Sequence, residues 1–227
     1  MNIDKHCSHI LQSNTYLLTE KTHSLLIDPT QCSLKWVTYG MELDYILLTH
    51  EHYDHINGVN ELKAAFPSCR VVCSAACAER ICDPRLNSSH YFEALCRMQT
   101  RNQEARSAKA EPYACEADMT FQREMPLAWQ GHSLRLRELR GHSPGSICIL
   151  IDDCLLFTGD TLLRDEPTIT RFPGGSLEEL RSNAYPFLKN LPDGIKILPG
   201  HGDAFFLGEI ADLWNHMNLE VMYNGKS

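Results

Sequence analysis

The chain has 227 residues, of which 43% are apolar and 22% charged, and its formal net charge is −8. A chain of that length suits one large domain or two small ones and buries a core without disulfide or metal staples. The acidic balance argues against a general nucleic-acid binder, whose footprint is usually basic, and no run of about 18 apolar residues suggests a membrane span.

The start, "MNIDKHCSHILQSNTYLL", lacks the basic-then-apolar order of a signal peptide. The ten cysteines contain no C-x-x-C and no second cluster that completes a zinc knuckle. They are expected to be mostly buried, reduced thiols of a cytoplasmic protein.

Taken in chain order, residues 14–20 and 23–30 are short apolar runs ending at turn residues and predict a hairpin. Residues 33–40 predict a short helix closed by Gly40, and 44–50 a buried strand. In 57–66, Val59, Leu62, Ala65 and Phe66 share a helical face that Pro67 ends. Residues 69–74 are the next buried strand, and this strand–helix–strand order makes the chain α/β.

A polar stretch near 83–118 predicts a helical insertion, capped by Ser88 or Ser89, with Phe92, Leu95 and Cys96 inward. Two readings stand, a solvated helix or a lid over a site. Arg97, Arg101, Arg106 and Lys109 partly share a face, either simply solvated or suited to an acidic carrier. Strand signals return at 133–139, 146–152 and 154–160. In the first, Leu134, Leu136 and Glu138 alternate with Arg135, Arg137 and Leu139. Residues 176–188 predict a helix capped by Ser176, 195–203 a last strand running into a turn, and 207–222 a terminal helix.

The chemistry sits at strand ends. "HEHYDH", His50 to His55, follows a buried strand and precedes a helix. In a segment leaving a strand, His50 and His52 point the same way and can grip one ion. Asp54 and His55 arrive as the chain turns, so they face a second point. Imidazole and carboxylate are the ligand types that suit Zn²⁺ and its neighbours. Three further strand ends repeat the pattern: His142 between glycines in "RGHSPGS", Asp160 in "FTGDT", and His201 in "LPGHGD". Glycine there permits a sharp turn and a close approach.

Together these residues resemble the metallo-β-lactamase fold superfamily. Its motifs match in order at Asp28, the 50–55 cluster, His142, Asp160 and His201, over about residues 14–210. The resemblance implies a four-layer αββα sandwich forming a single domain over 1–227, with the metal site along one edge between the sheets. It implies that His50, His52 and His142 bind one metal, that Asp54, His55 and His201 bind a second, and that Asp160 bridges both. Asp28 resembles a structural aspartate. The seven-ligand set looks like the glyoxalase II-like (hydroxyacylglutathione hydrolase) branch. Secreted β-lactamases of the fold commonly carry Cys where Asp160 stands and lack the equivalent of His55.

That branch implies two divalent ions, Zn²⁺ first with Fe or Mn as alternatives. Its reaction is attack by a metal-bound hydroxide on a thioester carbonyl, with Asp54 orienting the nucleophile. The expected partner is a small acyl-thioester or ester, free or on a carrier, with no nucleic acid and no membrane. Alternatives within the same fold are a lactone or ester hydrolase, a mononuclear iron sulfur dioxygenase, and a phosphodiesterase. After Asp160 the chain reads "GDTLLRDEPTITRFPGGS", which keeps the Pro-Gly-Gly-Ser of thioesterase-like relatives but not their Gly-Arg-Thr-Asp. Phe205, Phe206 and Leu207 are either core anchors or the wall of an acyl pocket.

Overall fold

The computed structural model describes residues 1–9, 11–31, 33–37, 40–99 and 111–218. It divides into two compact units, Met1–Phe121 and Gln122–Ser227.

The first unit carries a six-stranded mixed sheet in simple sequence order. Strands β1 (Asn2–Cys7), β2 (Asn14–Glu20) and β3 (His23–Ile27) are antiparallel neighbours. β4 (Glu42–Leu47), β5 (Arg70–Ser74) and β6 (Met119–Phe121) continue in parallel from β3. Parallel strands need crossovers. The first of these contains a 3₁₀ turn, Ser33–Trp36, inside the predicted short helix. The others hold helices α1 (Tyr53–Ile56), α2 (Val59–Ala65), α3 (Ala75–Ile81) and α4 (Phe92–Gln99). Helix α2 buries Val59 and Leu62 fully, as its periodicity predicts, whereas Ala65 lies exposed at its end. Leu26, Ile46, Val71, Ile56, Leu62 and Ile81 are among the buried residues that close the core over this sheet. Each such side chain contributes about 1.5–3 kcal/mol on burial.

Within the expected insertion a 3₁₀ turn Ser89–Tyr91 and α4 are helical, whereas residues 111–118 are irregular. Phe92 and Cys96 are buried as predicted. The cap differs from expectation. Ser88 holds a left-handed φ of 71° and makes no capping bond. The Ser89 N–H instead donates to Asn87 Oδ1 at 2.9 Å, so the fully buried Asn87 supplies the acceptor. Arg97 is exposed and lies 3.7 Å from Glu93 on the same helix. Arg101, Arg106, Lys109 and the Leu95 side chain lie outside the described residues.

The second unit carries a six-stranded sheet in the order β12-β11-β10-β9-β8-β7. Its strands are β7 (Glu124–Trp129), β8 (His132–Glu138), β9 (Ile147–Ile151), β10 (Leu155–Gly159), β11 (Lys196–Pro199) and β12 (Phe205–Phe206). All pairs are antiparallel except β10 with β11. Pro126 sits in β7, an edge strand, where its missing N–H breaks no central ladder. Leu134 and Leu136 of β8 are buried and Arg135 is exposed, which bears out the alternation.

The helix expected at 176–188 is interrupted. Ser176 caps it, accepting from the Glu179 N–H at 3.2 Å. An α turn, α5 (Leu177–Glu179), gives way to a π turn, Leu180–Ala184, before α6 (Tyr185–Lys189). Pro186 lacks an N–H and would crowd the carbonyl four residues back, and the wider turn accommodates it. The expected terminal helix is also broken, into a 3₁₀ turn Leu207–Glu209 and α7 (Leu213–Met217), because Asp212 caps a fresh start by accepting from the Asn215 N–H. Phe205 and Leu207 belong to the buried cluster, while Phe206 is half exposed. Among the described residues, no helix is long and apolar enough to cross a membrane.

Candidate metal centre

Strand direction delivers the ligand-type residues. β3 and β4 are parallel, so Asp28 and the 50–55 segment both leave the first sheet at the same end. In the second sheet β8, β10 and β11 run in one sense, so His142, Asp160 and His201 all follow carboxyl ends of strands on one side. The Gly200 N–H donates to the Gly159 carbonyl at 2.8 Å, tying the Asp160 and His201 turns together.

In the first unit Asp28 organises the cluster. It is buried and holds a left-handed φ of 52°, a conformation Asp tolerates better than most residues. Its Oδ1 accepts the Thr49 N–H at 2.7 Å, and its Oδ2 accepts the Thr49 hydroxyl at 2.5 Å and His55 Nδ1 at 3.1 Å. Because the Thr49 hydroxyl spends its proton on Asp28, its lone pair accepts from His50 Nδ1 at 3.0 Å. The protons of His50 and His55 therefore sit on Nδ1, and each Nε2 keeps the lone pair that a metal needs. The ligand atoms of Asp28, His50 and His55 lie within 4.8 Å of one another. The His50 ring centroid is 4.8 Å from that of His52 and 4.3 Å from that of His55. His55 Nε2 faces Asp54 Oδ2 at 3.6 Å. The Ser13 hydroxyl donates to the Asp54 carbonyl at 2.9 Å and fixes the backbone there.

The second unit repeats the design. His142 Nδ1 donates to the Ile169 carbonyl at 2.8 Å, which again assigns the proton and leaves the lone pair on Nε2. That Nε2 stands 3.7 Å from Asp160 Oδ2, and His201 Nε2 stands 3.4 Å from the same oxygen. These gaps exceed the usual 2.7–3.2 Å of an N–H···O bond. Two ligands each about 2.1 Å from one tetrahedral ion would stand about 3.4 Å apart. The donor set therefore fits metal binding: neutral imidazoles with Nε2 turned inward and carboxylates at ligand-to-ligand spacing.

The retained Pro-Gly-Gly-Ser has a structural reason. A side chain at Gly175 would meet the Thr170 carbonyl oxygen at 2.4 Å and that of His142 at 2.9 Å. The Ser176 N–H donates to the Gly141 carbonyl at 2.8 Å, so this turn clasps the His142 loop. Gly141 itself has φ +146°, and a Cβ there would lie 2.7 Å from Leu180 Cα.

Four supporting features were not legible in the sequence: the Ile169 carbonyl, the Ser13 hydroxyl, the clamp around Tyr53, and the partner of Glu51. Tyr53 N–H donates to the Asn87 carbonyl at 2.9 Å, and its ring packs edge-on to Phe92 and Tyr113 at 4.7 and 5.6 Å. The insertion thus braces the ligand loop. Only β-branching, glycine and charge announce themselves in a sequence; a carbonyl acceptor does not.

The cysteines fit the expected pattern of buried thiols. Cys69, Cys73, Cys77, Cys96, Cys115 and Cys148 are buried and free, and Cys7, Cys82 and Cys154 are exposed. Burial pushes the thiols of Cys69, Cys115 and Cys148 up to about 12 and that of Cys96 to about 11.

Residues 10–201 match the model of the metallo-beta-lactamase superfamily. A probable metallo-hydrolase of Streptococcus pyogenes serotype M6 is 30% identical over 209 residues, covering 90% of this chain and 85% of the relative. A hydroxyacylglutathione hydrolase of Haemophilus influenzae is 28% identical over 216 residues, covering 92% of this chain and 94% of the relative. Among solved structures, that of BLEG-1 B3 metallo-beta-lactamase superposes with a TM-score of 0.76 at 24% identity, covering 92% of this chain and 95% of that one. The last likeness concerns the fold alone. The expected fold class is borne out, with two mixed sheets and their helices.

Proposed function

The chain belongs to the metallo-beta-lactamase superfamily as a metal-dependent hydrolase, and on that premise we propose that it hydrolyses acyl-thioesters at a binuclear centre. In this reading the two units act as one catalytic domain over 1–227. His50, His52 and His142 would hold one ion, Asp54, His55 and His201 would hold the other, and Asp160 would serve both. The observation that carries the reading is Asp160 Oδ2, a single carboxylate oxygen facing the Nε2 atoms of both His142 and His201. A carboxylate so placed suits two ions better than one. Zn²⁺ fits this borderline donor set best, with Fe or Mn as alternatives.

Divalent ions bound there supply Lewis acidity and bring the pKa of water down to about 7. The protein's own groups do the rest. Asp28, Thr49 and the Ile169 carbonyl hold three imidazoles in the Nδ1–H tautomer. Asp54 accepts a hydrogen bond from the attacking water and orients it toward the carbonyl carbon. Asp54 and Asp160 would neutralise only part of the charge of two divalent ions, leaving a net positive site suited to a developing oxyanion. A thiolate leaves without a general acid, because its pKa is near 8.5 rather than that of an alkoxide.

Similarity to a hydroxyacylglutathione hydrolase supports the thioester class. The substrate is read as a small acyl-thioester of glutathione, coenzyme A or a carrier protein, and the setting as the cytoplasm, in keeping with the free thiols. The test is a screen of metal-analysed protein against acyl-thioesters, lactones, bis-p-nitrophenyl phosphate, and a persulfide with oxygen uptake recorded. Thioesters turning over at least tenfold faster than the rest supports the reading; preference for any other class replaces it.

A further inference from the structure

One charged group in the ligand loop has no part in the centre as described. Glu51 lies between His50 and His52 and its side chain is fully buried. His52 is extended, with φ −64° and ψ 141°. In extended backbone, neighbouring side chains alternate, so Glu51 leaves the loop on the face opposite the two imidazoles. There its Oε1 accepts from Arg80 Nε of α3 at 2.5 Å. Arg80 Nη2 also reaches the Leu86 carbonyl, at 3.5 Å, and the arginine side chain is only 16% exposed.

A buried ion pair is a poor way to gain stability, because its desolvation cost rivals its Coulomb gain, and apolar replacements are often neutral or stabilising. Its advantage is direction. The planar guanidinium bonds the carboxylate through Nε and the Leu86 carbonyl through Nη2, and so ties Glu51, and with it the peptide units on both sides, to one place. Those peptide units carry His50 and His52. The pair also holds one of the loop's two carboxylates on the far face, outside the ligand set.

We propose that Glu51 and Arg80 form a positioning pair that aims His50 and His52 at their ion. The inference rests on the reading of these two histidines as ligands. Glu51 is fully buried and Arg80 nearly so, and both act through the imidazoles they orient.

The test separates aim from stability. Wild-type protein, Arg80→Lys, and the double variant Glu51→Met/Arg80→Met are stripped of metal. Thermal unfolding is then measured on the apo-proteins, and Zn²⁺ affinity by chelator competition. The double variant replaces the pair with apolar groups of similar length, so its apo-protein should melt at or above the wild-type temperature. Its affinity for the first ion should nonetheless fall 10- to 100-fold, the usual cost of losing a partner behind a metal ligand. Arg80→Lys keeps the charge but not the fork and should fall in between. In the Co²⁺-loaded forms the visible d–d bands should shift in the same order. Wild-type affinity and an unshifted spectrum in the double variant would overturn the inference while leaving the centre standing. If wild-type protein binds no stoichiometric Zn²⁺, the reading of the centre fails, and this inference with it. Should the double variant not fold, Arg80→Lys decides alone: wild-type affinity and spectrum there overturn the proposal.

Discussion

Replacing Asp28 by Asn changes almost nothing in shape and should nonetheless disable a ligand. Asn tolerates the left-handed φ of 52° about as well as Asp does, so the backbone is not strained by the change. The amide oxygen, placed where Oδ1 stands, still accepts the Thr49 N–H. The amide NH₂ then occupies the place of Oδ2, where two donors, the Thr49 hydroxyl and His55 Nδ1–H, now find another donor. The hydroxyl rotates and accepts. The imidazole must move its proton to Nε2, the atom it offers to metal. Restoring the ligating tautomer then leaves the buried Nδ1–H facing a donor and unsatisfied, at about 1–3 kcal/mol. At about 1.4 kcal/mol per tenfold, that is about 5- to 150-fold in affinity for the ion His55 is proposed to hold. Chelator competition measures the affinity, and ¹⁵N chemical shifts of the His55 ring report the tautomer. Wild-type affinity with the proton still on Nδ1 would refute the reasoning. Loss of fold would show as a collapsed near-ultraviolet spectrum, and Thr49→Ser, which keeps the hydroxyl, serves as the control.

Three further outcomes follow from the geometry. Gly141→Ala drives a methyl to 2.7 Å from Leu180 Cα and should cost about 1–3 kcal/mol in apo-protein unfolding, with weakened metal binding at His142; an unchanged melting temperature would contradict the packing. Native thiol labelling near neutral pH should modify Cys7, Cys82 and Cys154 among the described cysteines and spare Cys69, Cys115 and Cys148, read by peptide mass spectrometry. For the Asp118 carboxyl, burial is the largest single influence and acts upward. The Val71 N–H and Lys63 together outweigh it and hold the group below its ordinary 3.8. A lowered folded pKa contributes stability above the unfolded value that is lost as pH falls through the folded one. Asp118→Asn should therefore lower the urea midpoint at about pH 6, and the loss should shrink as pH falls below 3.8 toward and through the folded pKa. A loss that stays constant as pH falls would contradict it.

Much of the site was legible before any coordinates. Imidazoles and carboxylates spaced by two at a strand end have few other uses, and glycines beside His142 and His201 mark turns that side chains would block. The apolar runs of β2 to β5, β9 and β10 were equally plain, because covered strands are largely aliphatic, and β8 showed itself by its alternation. What escaped notice had physical reasons. β7 carries Pro126, which reads as a strand breaker until its place at the edge is known. β1 is mostly exposed and has almost no apolar alternation. The π turn before Pro186 and the fresh cap at Asp212 are local accommodations within stretches whose overall periodicity is helical. The tautomer-setting contacts lie 27 residues apart in the chain in the pairs Asp28–His55 and His142–Ile169, and no local pattern announces a contact so distant.

The central claim is that one chain holds two ions through seven side chains with Asp160 shared. Metal analysis of the purified protein, equilibrated with Zn²⁺ and freed of loosely bound metal, tests it most directly when run beside Asp160→Ala. The account predicts two ions per wild-type chain and a loss at both positions in the variant, since one carboxylate serves both. A single ion in the wild-type protein, or two ions undiminished in Asp160→Ala, would contradict it.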